Sequence, residues 1–584
     1  MWKCRVFFAF LLMLLLAVTS TTHSQSNRGE HAERSQAKMV GRFDDNIEKS
    51  SLTRNAENGV KTAERNSSKL QELTSEFPQK KISIQARSRE GLSSKLTCDA
   101  CKLIVGRLQD LVRQQKTTEE IIKVAKDICK VYKIEDDRIC DLIVPLYAEV
   151  VLPILRGTVL DPDELCGMVL GKACATPFYP GVMWNITMSD TPKPPVKPRV
   201  LPKPGSPTVR VLQLTDIHLD IEYRAGADAE CGEPLCCRAF DANPAPNKSR
   251  EAGKWGDFRG CDTPWNTLEM LFQHLADIKD QFDYVIFTGD IPAHDVWNQT
   301  RTAQLSNLER FAGLFRKYLP EKPVYVTMGN HESVPCDRGG FYTFSPFPGF
   351  RIVSLNSNYG ASANWWLILN ATDPQEQLQW FVDVMQAAED NGEKVMLLSH
   401  HEPGGLMKAF SWNYYRVINR YENTIIGQFH GHTHKDELEV FYDLQNRSRA
   451  VSVSYIGGSI TTFSNTNPAY RIYTMDGNYP GSSWEVLDYT HYYLDLTGAN
   501  KGQVASWQKE YSPKEAYQMK NLFPEEWDHL IYRMKANDTL FQMYNTFYYK
   551  SAGTSPCTDW TCKRNMLCNI KQARADDAEI CNDL

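Results

Sequence analysis

The chain lacks an excess of positive charge and, beyond its first residues, any long apolar run. Its 584 residues carry a formal net charge of −6, which argues against a nucleic-acid-binding protein. After residues 6–18, no stretch approaches the roughly 18 apolar residues that a membrane-spanning helix needs. Hydrophobic residues still make up 42% of the sequence, enough for buried cores in several domains. We expect a monomer without a transmembrane segment.

Residues 25–93 are nearly free of aromatic side chains and rich in polar and charged ones. Such a segment cannot bury enough apolar surface to offset the entropy lost on folding, which predicts disorder or a pro-segment. Ahead of it, Lys3 and Arg5 precede a short apolar stretch and then small residues, the pattern of a secretory signal peptide over residues 1–24. This leader predicts a secreted or lysosomal protein.

Cysteine, by contrast, is abundant. The 16 cysteines are many for a cytosolic protein of this length and favour an oxidising compartment. Asn-x-Ser/Thr sequons agree with the secretory route. They predict N-glycans at Asn66, Asn185, Asn247, Asn298, Asn370, Asn446 and Asn537.

Residues 94–178 combine six cysteines with two amphipathic helical patterns. Apolar residues recur at helical spacing over residues 103–112 and again over residues 121–128. A domain this small has a limited core, so we expect disulfides to stabilise it, although the spacing alone leaves their pairing open.

The proline-rich residues 179–208 follow and predict a semi-rigid linker in polyproline II geometry.

From residue 209 to residue 476, short apolar runs alternate with helical periodicity, which predicts an α/β domain. The expected strands are residues 209–214, 284–287, 324–327, 352–355, 395–398, 424–429 and 451–456. The expected helices are residues 268–278, 305–318 and 375–388. Residues 477–584 are rich in aromatics and are predicted to form a helical region that late disulfides stabilise.

Side chains of metal-ligand type directly follow five of these strands. Open α/β sheets place their ligand sites beyond the carboxyl ends of the strands, so the five segments are expected to converge. The densest segment is 431–434, whose alternation puts two histidines on one side of an extended backbone. In chain order the candidate ligands are Asp216, His218, Asp290, Asn330, His400, His432 and His434. His401 alternates to the opposite face from His400.

The candidate ligands are two aspartates, four histidines and one asparagine, with no cysteine. Oxygen and imidazole donors together suit Zn, Fe or Mn. One tetrahedral ion cannot bind this many ligands, whereas two ions that share one carboxylate can. Two such ions can hold the attacking and leaving oxygens of an in-line displacement at phosphorus. The sequence therefore predicts a two-metal phosphoesterase site.

The five motifs resemble the calcineurin-like metallophosphoesterase superfamily, whose fold is a β-sandwich flanked by helices. The resemblance implies one metal held by Asp216, His218 and His434. It implies a second metal held by Asn330, His400 and His432, with Asp290 as the bridge. Purple acid phosphatases share this scaffold but use a tyrosine three residues after the bridging aspartate, where this chain has Ala293.

A narrower resemblance, covering residues 95–584, is to the acid sphingomyelinase family. The segments 289–297, 329–333, 411–416 and 431–434 carry it, together with the order of the domains. It implies hydrolysis of sphingomyelin to ceramide and phosphocholine with two zinc ions. It also implies that His294 and His331 serve the leaving group as proton donors. The competing interpretation of His294 is that it only orients Asp290.

The cysteine spacing between residues 98 and 174 is similar to that of saposin-B-like domains, all-α modules that expose an apolar face to lipid. This similarity implies contact with sphingomyelin in membranes or lipoproteins. The saposin-like resemblance implies the disulfides Cys98–Cys174, Cys101–Cys166 and Cys129–Cys140. The acid sphingomyelinase resemblance implies Cys231–Cys236, Cys237–Cys261, Cys557–Cys562 and Cys568–Cys581.

One stretch departs from the family. Only six residues separate Glu332 from Gly339, where the family has a long segment, and the implied pairing leaves Cys336 in that stretch without a partner. Two further functions are therefore weighed beside sphingomyelin hydrolysis. One is a phosphodiesterase for other phospholipids or nucleotides, and the other is a lipid-binding variant with low activity.

Overall fold

A computed structural model describes residues 90–170, 174, 183–332, 339–362, 364–553 and 557–584. The predicted signal peptide, nearly all of the polar segment 25–93, Asn66 and Cys336 lie outside these residues. Among the described helices, none is both long and apolar enough to cross a bilayer.

The first part of the described chain is all α. Its helices are Glu90–Arg113, Thr118–Val131, Asp137–Gly157 and Pro162–Leu170. Thr117 and Glu120 form a reciprocal capping box that starts the second helix. The apolar faces expected from periodicity meet in one core that includes Ile121 and Ile139. Disulfides join Cys98 to Cys174, Cys101 to Cys166 and Cys129 to Cys140.

The α/β domain is a sandwich of two six-stranded sheets. Its strands are β1 (Thr208–Leu214), β2 (Tyr284–Phe287), β3 (Val324–Val326), β4 (Tyr342–Phe347), β5 (Phe350–Ser354), β6 (Lys394–Leu398), β7 (Ile425–His430), β8 (Glu437–Tyr442), β9 (Ala450–Ile456), β10 (Ala469–Asp476), β11 (Val486–Leu494) and β12 (Trp507–Tyr511). The sheet orders are β12-β11-β10-β1-β2-β3 and β4-β5-β6-β7-β9-β8. Neighbours β1, β2 and β3 run parallel, as do β5, β6, β7 and β9.

A core lies between the sheets, where Val211 and Ile286 of one sheet share a cluster with Ile352 and Met396 of the other. Helices cover both outer faces of the sandwich. The helices Trp265–Asp277 and Arg301–Tyr318 pack on the first sheet, and Gln377–Asp390 and Lys408–Arg420 pack on the second. The expected β-sandwich flanked by helices is confirmed. All seven expected strands are present within two residues of their predicted ends, whereas the sequence patterns do not predict β4, β8 and β10.

The C-terminal region is helical and disulfide-bonded, but its first part differs from the prediction. β11 and β12 are strands that extend the first sheet through β10. β11 contains three tyrosines and one threonine, residue types that favour a pleated and half-buried surface. The helices are Leu496–Asn500, Pro513–Ala516, Pro524–Ala536, Asp538–Tyr548 and Trp560–Lys571. Two of them contact β8 and β9, so this region completes the sandwich rather than forming a separate body.

The proline-rich linker lies along the surface of the α/β domain. The guanidinium of Arg199 pairs with Glu485 at 2.6 Å and also donates to the carbonyls of Ile425 and Val451. These two carbonyls belong to β7 and β9, so one side chain fastens the linker to two strands.

Further disulfides join Cys231 to Cys236, Cys237 to Cys261, Cys557 to Cys562 and Cys568 to Cys581.

Candidate metal centre

The seven candidate ligands lie in turns beyond the carboxyl ends of β1, β2, β3, β6 and β7. Five of them have φ between 42° and 73°: Asp216, His218, Asp290, His432 and His434. Residues other than glycine enter this left-handed region at a cost in free energy, so packing and hydrogen bonds must hold them there. These strained turns bring the candidate ligands of both sheets close together at one edge of the sandwich.

The first cluster consists of Asp216, His218 and His434, all of them buried. The Nε2 atoms of the two histidines are 3.1 Å apart. Asp216 Oδ1 lies 3.4 Å from His434 Nε2 and 3.9 Å from His218 Nε2. Two ring nitrogens and a carboxylate at these separations can share one cation.

The second cluster consists of Asn330, His400 and His432. Asn330 Oδ1 lies 3.0 Å from His400 Nε2 and 2.9 Å from His432 Nδ1. The amide oxygen and the two ring nitrogens therefore face one common space. The structure brings together the same residues that the superfamily resemblance groups.

Asp290 lies between the two clusters. Its Oδ2 atom is 3.4 Å from His218 Nε2 and 3.1 Å from His400 Nε2. Burial opposes its ionisation, but the neighbouring His400 and His331 hold the pKa of Asp290 well below its usual value. One ionised carboxylate thus faces a nitrogen donor from each cluster, as a bridging ligand would.

Backbone carbonyls fix the proton on the far side of two of the histidines. His218 Nδ1 donates to the carbonyl of Pro292 at 2.8 Å, and His400 Nδ1 donates to that of Thr288 at 2.7 Å. In its neutral form, with the proton on Nδ1, each ring presents the lone pair of Nε2 to the clusters. This set of nitrogen and oxygen donors, without sulfur, fits divalent ions of the Zn, Mn or Fe type.

Glu332 joins the loops that follow β2 and β3. Its buried carboxylate accepts hydrogen bonds from the backbone N–H groups of Asp290 at 3.0 Å, Gly329 at 2.5 Å and Ile291. Asp290 Oδ1 in turn accepts from the N–H of His331 at 2.9 Å. These bonds hold the two ligand-bearing loops in one rigid unit.

His294 and Asp262 form a hydrogen-bonded pair beside the first cluster. His294 Nδ1 lies 2.8 Å from Asp262 Oδ1, and the backbone N–H of His294 donates to Asp262 Oδ2 at 2.7 Å. The ring of His294 stacks 3.8 Å from that of His218 and 3.9 Å from that of Phe463. Burial lowers the pKa of His294, and the adjacent Asp262 carboxylate opposes that shift. The pair leaves Nε2 of His294 as the atom able to serve a substrate.

His331 lies next to this pair, with its ring 4.8 Å from the rings of both His218 and His294. Its Nδ1 is buried and has no hydrogen-bond partner within the described part of the chain. Buried polar atoms without a partner are costly, and a bound substrate can satisfy them. The structure therefore places both histidines that the resemblance implies as proton donors beside the first cluster.

Two further histidines pack against the second cluster. His401 Nδ1 lies 2.8 Å from Ser357 Oγ, and its ring lies 4.1 Å from that of His432. His430 Nδ1 donates to the carbonyl of His401 at 2.9 Å. The ring of His401 thus packs against that of His432, and His430 holds the backbone of His401 in place.

Sequence reasoning missed Asp262, Thr461 and Ser464. Thr461 Oγ1 donates to Asp262 Oδ1 at 2.9 Å, and Ser464 Oγ lies 3.1 Å from His434 Nδ1. None of these residues belongs to a motif at the end of a predicted strand. The one sequence signal for Asp262 is its position directly after Cys261, whose implied disulfide restrains the loop.

Gly431 allows the loop that carries His432 to approach Asp216. A Cβ atom at this position would collide with Thr215 Oγ1 and lie 2.5 Å from Asp216 Oδ2. We expect Gly431→Ala to displace the Asp216 carboxylate and to lower both bound metal and turnover, the latter by about 10-fold to 100-fold. Elemental analysis and an activity assay measure the two effects.

Gly313→Ala is the matched control for that substitution. Gly313 lies in the helix Arg301–Tyr318, and the nearest atom to an added Cβ is 3.9 Å away. Alanine there should leave bound metal and turnover unchanged, because it has room and a better helix propensity. Unchanged metal content in Gly431→Ala would contradict the role of Gly431.

Comparison with known proteins places this site within a family. The calcineurin-like phosphoesterase family matches residues 209–436, which include all seven candidate ligands. The saposin-like type B region 1 family matches residues 96–131, and the acid sphingomyelin phosphodiesterase C-terminal region matches residues 450–580. The three matches follow the order of the all-α domain, the sandwich and the C-terminal region.

Several relatives match over most of their length. Sphingomyelin phosphodiesterase of Homo sapiens is 41% identical over 527 residues, which covers 84% of this chain and 83% of the human protein. Sphingomyelin phosphodiesterase 2 of Caenorhabditis elegans is 33% identical, with 84% and 89% covered. Sphingomyelin phosphodiesterase B of Dictyostelium discoideum is 33% identical, with 82% and 80% covered. With this similarity and the candidate metal-binding clusters inside a phosphoesterase domain, the chain is a metal-dependent hydrolase and belongs to the sphingomyelin phosphodiesterase family.

Proposed function

We propose that this chain hydrolyses sphingomyelin to ceramide and phosphocholine with two zinc ions. The observation that carries the proposal is the position of Asp290 between two ligand clusters, in a chain 41% identical to the human sphingomyelin phosphodiesterase. One ion would be held by Asp216, His218 and His434. The other would be held by Asn330, His400 and His432, with Asp290 shared.

When bound, the two ions would activate a water for attack on phosphorus and neutralise charge on the phosphoryl oxygens. The ceramide oxygen is too basic to leave without a proton, which His294 or His331 would provide. Asp262 holds His294 Nδ1 and stabilises the charged ring, so Nε2 is the atom that releases the proton. Nδ1 of His331 is the second group able to bond the leaving oxygen or the phosphate.

The saposin-like domain supports a lipid as substrate. It exposes large apolar side chains, among them Leu103 at 52%, Val131 at 70% and Val159 at 87%. Transfer of such side chains from water into lipid is favourable. We propose that this domain brings the site to sphingomyelin in membranes or lipoproteins.

We also propose the secretory route, ending in secretion or in the lysosome. The seven disulfides among the described residues form and persist in an oxidising compartment. The asparagines of the six described sequons are all exposed, which leaves them accessible for glycan attachment. These are Asn185, Asn247, Asn298, Asn370, Asn446 and Asn537.

The test is hydrolysis of sphingomyelin in vesicles at acidic pH by the purified full chain. Turnover should disappear after chelation and return with about two equivalents of zinc per chain. His331→Ala should lower turnover by about 100-fold or more, because it removes a group beside the leaving oxygen, while metal content stays at the wild-type value.

Three outcomes would contradict the proposal. Preferential cleavage of glycerophospholipids or of nucleotide phosphodiesters would assign a different substrate class. Vesicle binding without turnover in the metal-loaded protein would identify a lipid-binding variant with low activity. Restoration of activity by manganese or iron but not by zinc would reject the choice of metal.

A further inference from the structure

One lysine of the C-terminal region, Lys550, is buried inside the protein. Lys550 follows the helix Asp538–Tyr548 at a tight turn, where its N–H donates to the carbonyl of Phe547 at 2.7 Å and its φ is 52°. The side chain is completely buried. A lysine removed from water needs hydrogen-bond acceptors for its amine, so its partners reveal what it does.

Ser459 supplies those acceptors. Lys550 Nζ donates to the Ser459 carbonyl at 3.0 Å and lies 2.8 Å from Ser459 Oγ. The stem of the lysine passes close to Gly458, where a Cβ atom would lie 2.8 Å from Lys550 Cδ. Burial, with a contribution from the nearby Lys435, lowers the pKa of Lys550 well below its usual value. The amine thus serves as a buried hydrogen-bond donor to one serine.

Ser459 begins a short loop, residues 459–461, that touches three parts of the metal centre. Ser459 Oγ lies 3.4 Å from the carbonyl of His434. The N–H of Thr461 donates to the carbonyl of Asp216 at 3.0 Å, and Thr461 Oγ1 donates to Asp262 Oδ1 at 2.9 Å. One loop therefore contacts two metal-cluster residues and the aspartate that orients His294.

We propose that Lys550 is a positioning residue for the metal centre, which acts by holding the loop 459–461 through Ser459. A reactive constellation must be held within about 0.5 Å of its working geometry by groups that are themselves fixed. The loop has no regular secondary structure, and Lys550 holds its first residue through two hydrogen bonds. The C-terminal region thereby contributes to the geometry of a site whose ligands all lie before residue 435.

The test compares Lys550→Met with Lys563→Met. Methionine keeps most of the length of the side chain and removes the amine. Lys563 is a matched control, because it is a buried lysine of the same region whose Nζ bonds to Asp538 and to the carbonyl of Lys535, away from the loop. Metal content, turnover, KM and thermal unfolding are measured for both full-length variants.

Lys550→Met should lower kcat by about 10-fold to 100-fold with KM within about twofold, and should speed the loss of metal to a chelator. Lys563→Met should keep wild-type kcat and metal retention even if its unfolding temperature falls. Equal losses of kcat and metal in both variants would overturn the proposal, because they would reflect stability alone. Wild-type kcat and metal retention in Lys550→Met would overturn it as well.

Ser459→Ala provides a second variant should Lys550→Met fail to fold. It removes one acceptor of the amine, and we expect kcat and metal retention to fall, but by less than in Lys550→Met. Where all variants fold, the double variant Lys550→Met/Ser459→Ala should lose less kcat and less metal retention than the two single variants predict when their free-energy effects are added. The reason is that both substitutions break the same contact. Additive losses would contradict the link between the two residues.

The activity part of this inference rests on the proposed phosphodiesterase function, so a soluble aryl phosphodiester is assayed beside sphingomyelin. Failure on sphingomyelin alone would reject the proposed substrate and leave the comparison of lysine variants intact. Metal retention provides a readout that needs no turnover at all. The positioning role and the proposed substrate can therefore fail independently.

Discussion

Asp290→Asn should reduce turnover on sphingomyelin by about three orders of magnitude and lower the metal content of the purified chain. The carboxylate of Asp290 faces His218 Nε2 at 3.4 Å and His400 Nε2 at 3.1 Å, so both clusters depend on its charge. Asparagine has nearly the same volume but is neutral and offers only one oxygen. Elemental analysis should show less than two equivalents of metal, and activity should not recover with added zinc.

Asp228→Asn is the control for this substitution. Asp228 is also a buried aspartate, but it pairs with Arg250 in the loop region 228–250, away from the ligand turns. Loss of that ion pair should affect stability more than metal binding. Full metal content and wild-type turnover in Asp290→Asn would show that Asp290 does not bridge two ions.

Asp262→Asn should lower kcat by about 100-fold to 10,000-fold while KM and metal content stay close to wild type. The aspartate accepts from Nδ1 and from the backbone N–H of His294, and its charge favours the protonated ring. An asparagine amide group can donate to Nδ1, which would keep that nitrogen from carrying the second proton that makes the ring an acid. Steady-state kinetics together with elemental analysis separate this effect from damage to the metal centre.

The double variant Asp262→Asn/His294→Ala tests whether the aspartate acts through the histidine. If it does, the double variant should be no slower than His294→Ala alone, because the same function has already been lost. A further large drop would show that Asp262 has a separate role. A loss of bound metal in Asp262→Asn would show that its role is to maintain the nearby metal cluster.

The family resemblances and the strand pattern predicted much of the fold, and they also grouped the candidate ligands that the structure brings together. Parallel strands align their carboxyl ends at one edge, so residues just after a strand, such as His218 or His400, are brought together by topology alone. β11 was harder to predict, because its tyrosines and threonine suit a strand only when a neighbouring strand is present to pair with them. β10 is that neighbour, and its pairing with β1 joins segments far apart in the chain.

By itself, the sequence determined that short motifs of candidate ligands follow buried strands, that a disulfide-stabilised helical module precedes them, and that the candidate donors are nitrogen and oxygen. These features are local, because residue type and spacing along one segment specify them. The tertiary structure alone decided that Asp262 holds His294, that Glu332 ties two ligand loops together, and that Lys550 reaches Ser459. Each of those contacts joins side chains or loops from separate parts of the chain. Packing of the whole sandwich, rather than any periodicity, brings such partners within hydrogen-bond distance.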